Sequence, residues 1–189
     1  MSDETIILYT AQTQIVLDAI ERDGYSRVKR EYVQGKYGEG SWVFQQAYSF
    51  FAQYAPRYVE PPEGAESGIW CYVDWRLALS GAGCYLIELS VPRGQAILFD
   101  SRIWNRMLNL EYIGTNEADE DAFERKIANM GLKSTVDAFS TEFYPTVKRE
   151  ILQSWQRLFD SAENCPHEYL EAGLWELRRE WIVSMRKSE

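Results

Sequence analysis

The sequence predicts an α+β fold: a small, split, mainly antiparallel sheet surrounded by helices. Three observations predict it. Short runs rich in β-branched and aromatic residues, at Thr5–Tyr9, Ile69–Trp75, Cys84–Val91 and Ala96–Phe99, read as strands. Other stretches repeat apolar residues at helical spacing, as in Thr13–Arg22 and Trp42–Tyr54. Proline and glycine punctuate the joins at Gly24, Pro56, Pro61-Pro62 and Pro92-Arg93-Gly94.

Each element follows in order. Thr5–Tyr9 opens the chain as a strand and leads by a tight turn into the helix Thr13–Arg22. That helix has Val16, Ala19 and Ile20 on one face, Thr10 or Thr13 to cap it and Gly24 to end it. Lys36–Ser41 is a Gly-rich loop without the Gly-Lys-Ser/Thr ending of a phosphate-binding loop. In Trp42–Tyr54, Val43, Ala47, Phe50 and Phe51 share a side. The Pro92-Arg93-Gly94 turn sets Cys84–Val91 and Ala96–Phe99 up as a hairpin. Asp100 or Ser101 caps a helix over Arg102–Leu110 with Ile103, Met107 and Leu110 inward. The acidic run Glu117–Asp121 suits a solvated first helical turn. Val136–Phe143 and Pro145–Phe159 read as helices, with Pro145 at a first helical position. Glu163–Pro166 is a turn, and Leu174–Val183 fits either a helix or a last strand. The organisation expected is one domain over residues 1–189 with a helical insertion at roughly 116–162.

Composition narrows the function classes. With 46% apolar and 26% charged residues, 189 residues can bury a full core without disulfides or a metal. The 14% aromatic content is expected mainly in that core, with a pocket or partner surface as the sharper use. A net charge of −9 argues against a tightly held duplex. Nucleic acid stays open only as a transient substrate of a local basic patch such as Arg22, Arg27, Lys29 and Arg30. Cys71, Cys84 and Cys165 have no C-x-x-C spacing and His167 is the one histidine, so no metal site is expected. The N-terminus lacks the pattern of a signal peptide and no run has the length of a membrane span. Reduced thiols in a cytoplasm are the expectation.

Several islands together resemble a bacterial family, domain-of-unknown-function family 3841. They are Tyr9-Thr10-Ala11-Gln12, Ile69-Trp70-Cys71-Tyr72, Phe99-Asp100 with Trp104 and Leu108-Asn109, Ser154-Trp155 with Phe159-Asp160, and Trp175-Glu176-Leu177. They run from near residue 8 to near residue 183. One position departs: where the family pattern usually has Gln, this chain has Glu171. The order of elements more loosely resembles the ADP-ribosyltransferase fold. That resemblance implies NAD in a cleft between two small sheets, held at the end of the first strand. It also implies an aromatic beside the nicotinamide and a late glutamate stabilising the oxocarbenium ion as nicotinamide leaves.

Carried onto this chain, the resemblance makes Glu171 the first candidate for the carboxylate and Glu176 the second. Tyr9, Thr10 and Gln12 would hold the dinucleotide, and Trp70 or Tyr72 would stack on nicotinamide or a target base. Asp100, Trp104, Asn105 and Asn109 form another group, either the mouth of a pocket or a helix cap with interior packing. A lone His167 beside Pro166 has no evident partner for a hydrolytic triad. The expected function is a NAD-dependent ADP-ribosyltransferase-like bacterial toxin or antiphage effector modifying a macromolecule. The alternative is a non-catalytic interaction or antitoxin-type protein using an aromatic surface against a protein partner, an antitoxin or chaperone. A nucleotide sensor without turnover is a third. Convergence of Thr10, Trp70 and Glu171 on one concave pocket would separate an enzyme from an interaction protein.

Overall fold

In the computed structural model, residues 4–29, 31, 41–78 and 81–188 are described, and their strands fall into one sheet of six and one of two. The Gly-rich loop expected at 36–41 lies outside the described residues except for Ser41, as does Arg30 of the basic cluster. β1 (Thr5–Thr13) is longer than the periodicity suggests. It pairs along its whole length with β4 (Cys84–Pro92), from Thr5 opposite Pro92 to Thr13 opposite Cys84, and that partner holds the polar end extended. α1 (Gln14–Asp23) follows and ends on Gly24, whose φ of 83° lets its N–H reach Ile20 O. Thr13 occupies the N-cap position, but its side chain makes no capping bond, and Thr10 lies inside the strand. The capping role expected of these threonines is therefore corrected.

The main sheet has the order β5-β6-β3-β1-β4-β8, with β3 (Ile69–Tyr72), β5 (Ile97–Asp100), β6 (Leu170–Leu174) and β8 (Ile182–Lys187). Every neighbouring pair is antiparallel. The expected hairpin of Cys84–Val91 with Ala96–Phe99 does not form. β1 and β8 occupy the two sides of β4, so the turn Arg93–Gln95 sends β5 to the far edge, where it pairs with β6. The ambiguous segment 174–183 is extended. It holds the end of β6, β7 (Leu177–Arg178), a 3-10 turn Arg179–Trp181 and the start of β8. Its backbone completes two pairings, with β4 and with β2 (Tyr25–Ser26), that a helix would leave unmade.

Helices cover part of one sheet face. α2 (Ser41–Tyr54) and α3 (Ser101–Leu108) sit with α4 (Glu117–Asn129), α5 (Thr135–Ser140) and α6 (Pro145–Ser154) around one core. Asp100 caps α3 by accepting from Arg102 N, and Asn116 caps α4. The helices expected at Val136–Phe143 and Pro145–Phe159 are shorter. α5 stops at Ser140, and α6 gives way to a 3-10 turn over Trp155–Asp160. Phe51 lies at the centre of this core, edge-on to Trp70 at 4.9 Å and beside Trp175 at 5.8 Å. Each such buried ring stabilises the fold by about 1.5–3 kcal/mol. The opposite face buries Leu8, Cys71, Ile87, Leu89, Ala172 and Leu174 with Ile20 of α1 and Trp181.

Candidate functional site

Register decides which side chains meet. Side chains alternate along a strand, and residues directly opposite on paired strands share a face with Cβ atoms about 5 Å apart. The pairings Phe99↔Glu171, Glu171↔Tyr72, Tyr72↔Tyr9, Tyr9↔Glu88 and Glu88↔Ser184 therefore set one row across all six strands. From Glu171 to Ser184 the row spans four strand spacings, about 19 Å. Over its β1–β4–β8 end lies a groove of about 530 Å³ lined by Tyr9, Trp75, Leu86, Glu88, Ser184, Met185 and Arg186. Its size suits a small-molecule ligand.

Glu171 is the most perturbed carboxylate in the row. It is 8% exposed, and among the described residues no hydrogen bond reaches it. Burial, and then the nearby charge of Asp100, push its carboxyl up to about 7. Among the described residues no cation pairs with it, and the arginine beside Asp100 is committed. Arg102 binds Asp100 through Nη2 to Oδ2 at 2.6 Å and lies over the Tyr169 ring at 4.5 Å. Burial alone would raise Asp100 as well. The hydrogen bonds from Arg102 outweigh it and hold that carboxyl below its ordinary range. The two neighbouring acids are thus shifted in opposite directions, Glu171 by burial and Asp100 by its hydrogen bonds from Arg102.

The other expected site residues scatter. Thr10 and Gln12 point to the α1 face, away from the row. Thr10 Oγ1 donates to Trp70 O at 3.0 Å and accepts from Gln12 Nε2 at 2.8 Å. Trp70 shares the face of Glu171 but sits under α2 and α3, donating to Tyr48 Oη at 2.8 Å and packing on Trp104 at 4.4 Å. Thr10, Trp70 and Glu171 do not converge on one pocket, because strand alternation puts Thr10 and Trp70 on opposite faces, and that outcome falls on the side of an interaction protein. Tyr9, Tyr72 and Glu171 are the members brought together. Glu176 lies at the far end of the β6 segment. Both its oxygens are taken, by Arg27 Nη2 at 2.7 Å and Arg178 Nε at 2.5 Å. Asp100 is a helix cap and Trp104 is core. Asn105 and Asn109 are exposed and bonded to each other, Asn109 Nδ2 to Asn105 O at 2.8 Å. His167 is exposed and opens a 3-10 turn. Glu88, Trp75, Ser184 and Arg186 were not among the expected residues. The signal for Glu88 was present: its charge in the middle of the apolar run Cys84–Val91 marks a strand face that meets solvent.

Among the described residues no cluster of His, Cys, Asp and Glu has the arrangement of a metal site, and no helix is long and apolar enough to cross a membrane. Fold and site define an α+β protein with an antiparallel six-stranded sheet, an open groove on one face and, further along the same row, a carboxylate unpaired among the described residues. The chain belongs to the domain-of-unknown-function family DUF3841, whose model matches residues 7–183. No curated protein and no solved structure matches it.

Proposed function

We propose that this protein cleaves the nicotinamide–ribose bond of NAD and transfers the ADP-ribosyl group to a macromolecule, a protein or a nucleic acid held transiently. Glu171, nearly buried and without a hydrogen bond or ion pair among the described residues, is the observation that carries the reading. A charge-free pocket would serve a structural role better, whereas a developing cation is stabilised by a carboxylate already in place. In the proposed mechanism the dinucleotide lies along the row. Its cationic nicotinamide ring rests near Tyr72, directly opposite Glu171, where a ring face favours positive charge. As the bond to ribose breaks, the electron pair leaves with nicotinamide and the ribose becomes an oxocarbenium ion. Ionised Glu171 stabilises that ion until the acceptor's nucleophile bonds to the ribose carbon and gives up its proton to water. Thr10, Gln12 and Glu176 have no part in it. From the ADP-ribosyltransferase resemblance this reading takes only the late glutamate, and a bacterial toxin or antiphage effector is the biological role we attach to it.

The test is a thermal melt with and without millimolar NAD, followed by an assay of released nicotinamide. NAD at about a hundred times its dissociation constant stabilises the fold by about 2.7 kcal/mol. For a chain of this size that is a rise of about 5–10 °C. Release that Glu171→Gln abolishes supports the assignment, and no shift with NAD sinks it. A second reading, a non-catalytic partner protein, is favoured by exposed apolar side chains beside the groove: Ile7 at 42%, Trp75 at 42% and Met185 at 52%. No NAD shift, with a stable complex on a partner chain, would transfer the proposal to that reading.

A further inference from the structure

We infer that the groove selects a dinucleotide whose adenosine ribose has free 2′ and 3′ hydroxyls, NAD over NADP, and that Glu88 makes the selection. The inference rests on the NAD reading of Glu171. Glu88 lies three strand spacings from Glu171 along the same row, about 14 Å. That is a separation for two riboses joined by a pyrophosphate, not for the parts of one nucleotide. One Glu88 oxygen, Oε2, accepts from Ser184 Oγ at 2.9 Å. Among the described residues no cation pairs with its carboxylate, which leaves Oε1 for a ligand. A carboxylate so placed accepts hydrogen bonds from a ribose diol and repels a 2′-phosphate, the contrast by which other dinucleotide sites discriminate.

Arg186 completes the end of the groove. Its register opposite Leu86 puts it on the same side of the sheet edge as the groove, and its guanidinium lies over the Trp75 ring at 4.7 Å. It is the cation of the groove lining and lies beyond Glu88 from Glu171, on the side away from the pyrophosphate that joins the two riboses. Trp75, 42% exposed, offers a ring face for the adenine. With Glu88 neutralised, Arg186 would also be the group a 2′-phosphate turns to.

Calorimetric titration of the full chain with NAD and with NADP tests this, on the native sequence and on Glu88→Gln. The glutamine side chain keeps an acceptor for Ser184, and a melt without ligand checks that the variant is folded. The expected result is NAD bound at least about tenfold more tightly than NADP, a difference of about 1.4 kcal/mol, with the ratio collapsing or inverting in E88Q. Ser184→Ala, which frees Oε2 without touching the charge, is expected to keep the preference. Equal affinity for both dinucleotides, unmoved by E88Q, overturns the role of Glu88 and leaves the NAD reading standing. Failure of both to bind overturns the NAD reading and the selection with it.

Discussion

Replacing Glu171 with glutamine should stabilise this protein, and by an amount that depends on pH. Lifting a carboxyl from its ordinary 4.5 to about 7 corresponds to about 3 kcal/mol between the folded and unfolded chains. The group is 8% exposed, so solvent screens little of this. Below the unfolded value of 4.5 both states hold the proton, and Glu171 adds no cost. As pH rises from there through about 7 the unfolded chain releases its proton first, and stability is lost progressively. Above that range the full cost of an unpaired, nearly buried charge is present. The substituted glutamine carries no charge at any of these pH values. The variant should therefore match the native chain near pH 4 and exceed it by about 3 kcal/mol at pH 8, roughly 6–12 °C in Tm. Urea melts of both chains at pH 4, 6 and 8 measure it. A difference that does not change with pH, or a less stable variant at pH 8, would mean that Glu171 finds a partner in solution and would refute the reasoning.

The other glutamate of this segment should behave in the opposite sense: Glu176→Gln removes a carboxylate held by two arginines and should cost about 2–3 kcal/mol at pH 8, read by the same melts. Gly173 lies under the Phe51 ring, where an added Cβ would collide with it, so Gly173→Ala should destabilise by about 1–3 kcal/mol in urea unfolding. Burial pushes the Cys71 thiol up to about 12, so at pH 8 a thiol reagent should label Cys165 and Cys84 and reach Cys71 only on unfolding, as mass spectrometry of the peptides would show.

Much of the fold was legible because local signals agreed with the tertiary structure. The alternation of Cys84–Val91, the Gly24 cap and the Asp100 cap each describe an element that needs no distant partner to be recognised. Pairing was not legible. Whether Cys84–Val91 meets Ala96–Phe99 or Thr5–Thr13 depends on which edges are already occupied, and no local pattern encodes that. The site suffered from the same gap. Tyr9, Thr10 and Gln12 are neighbours in sequence, yet a strand sends Tyr9 to one face and the other two to the opposite one. Glu88 and Ser184 sit 96 positions apart and meet only through the β4–β8 register. The aromatic islands that carry the family resemblance fall largely in the core. Trp70, Trp104, Trp155 and Trp175 pack around Phe50 and Phe51, with Trp155 Nε1 bonded to Glu111 O and Trp175 Nε1 to Val59 O. They mark how this fold is built, and for that reason belonging to the family carries no chemistry.

Chemistry has to be argued from what the core does not explain. Along one stretch of chain, from β6 to β7, the fold gives Glu176 two arginines and, among the described residues, gives Glu171 none. The difference does not follow from a shortage of cations, because Arg102 stands beside Asp100, next to Glu171 in the sheet, and is committed to that carboxylate. A glutamine at 171 would keep the shape of the side chain and remove the penalty of the charge. Among the described residues Glu171 accepts no hydrogen bond, and its charge costs about 3 kcal/mol, a cost that the proposed activity would account for. The ligand that relieves it must bring positive charge to the Glu171 end and tolerate aromatic rings along the row. It must also present hydroxyls to Glu88 at the other end. A nicotinamide dinucleotide carries all of these groups.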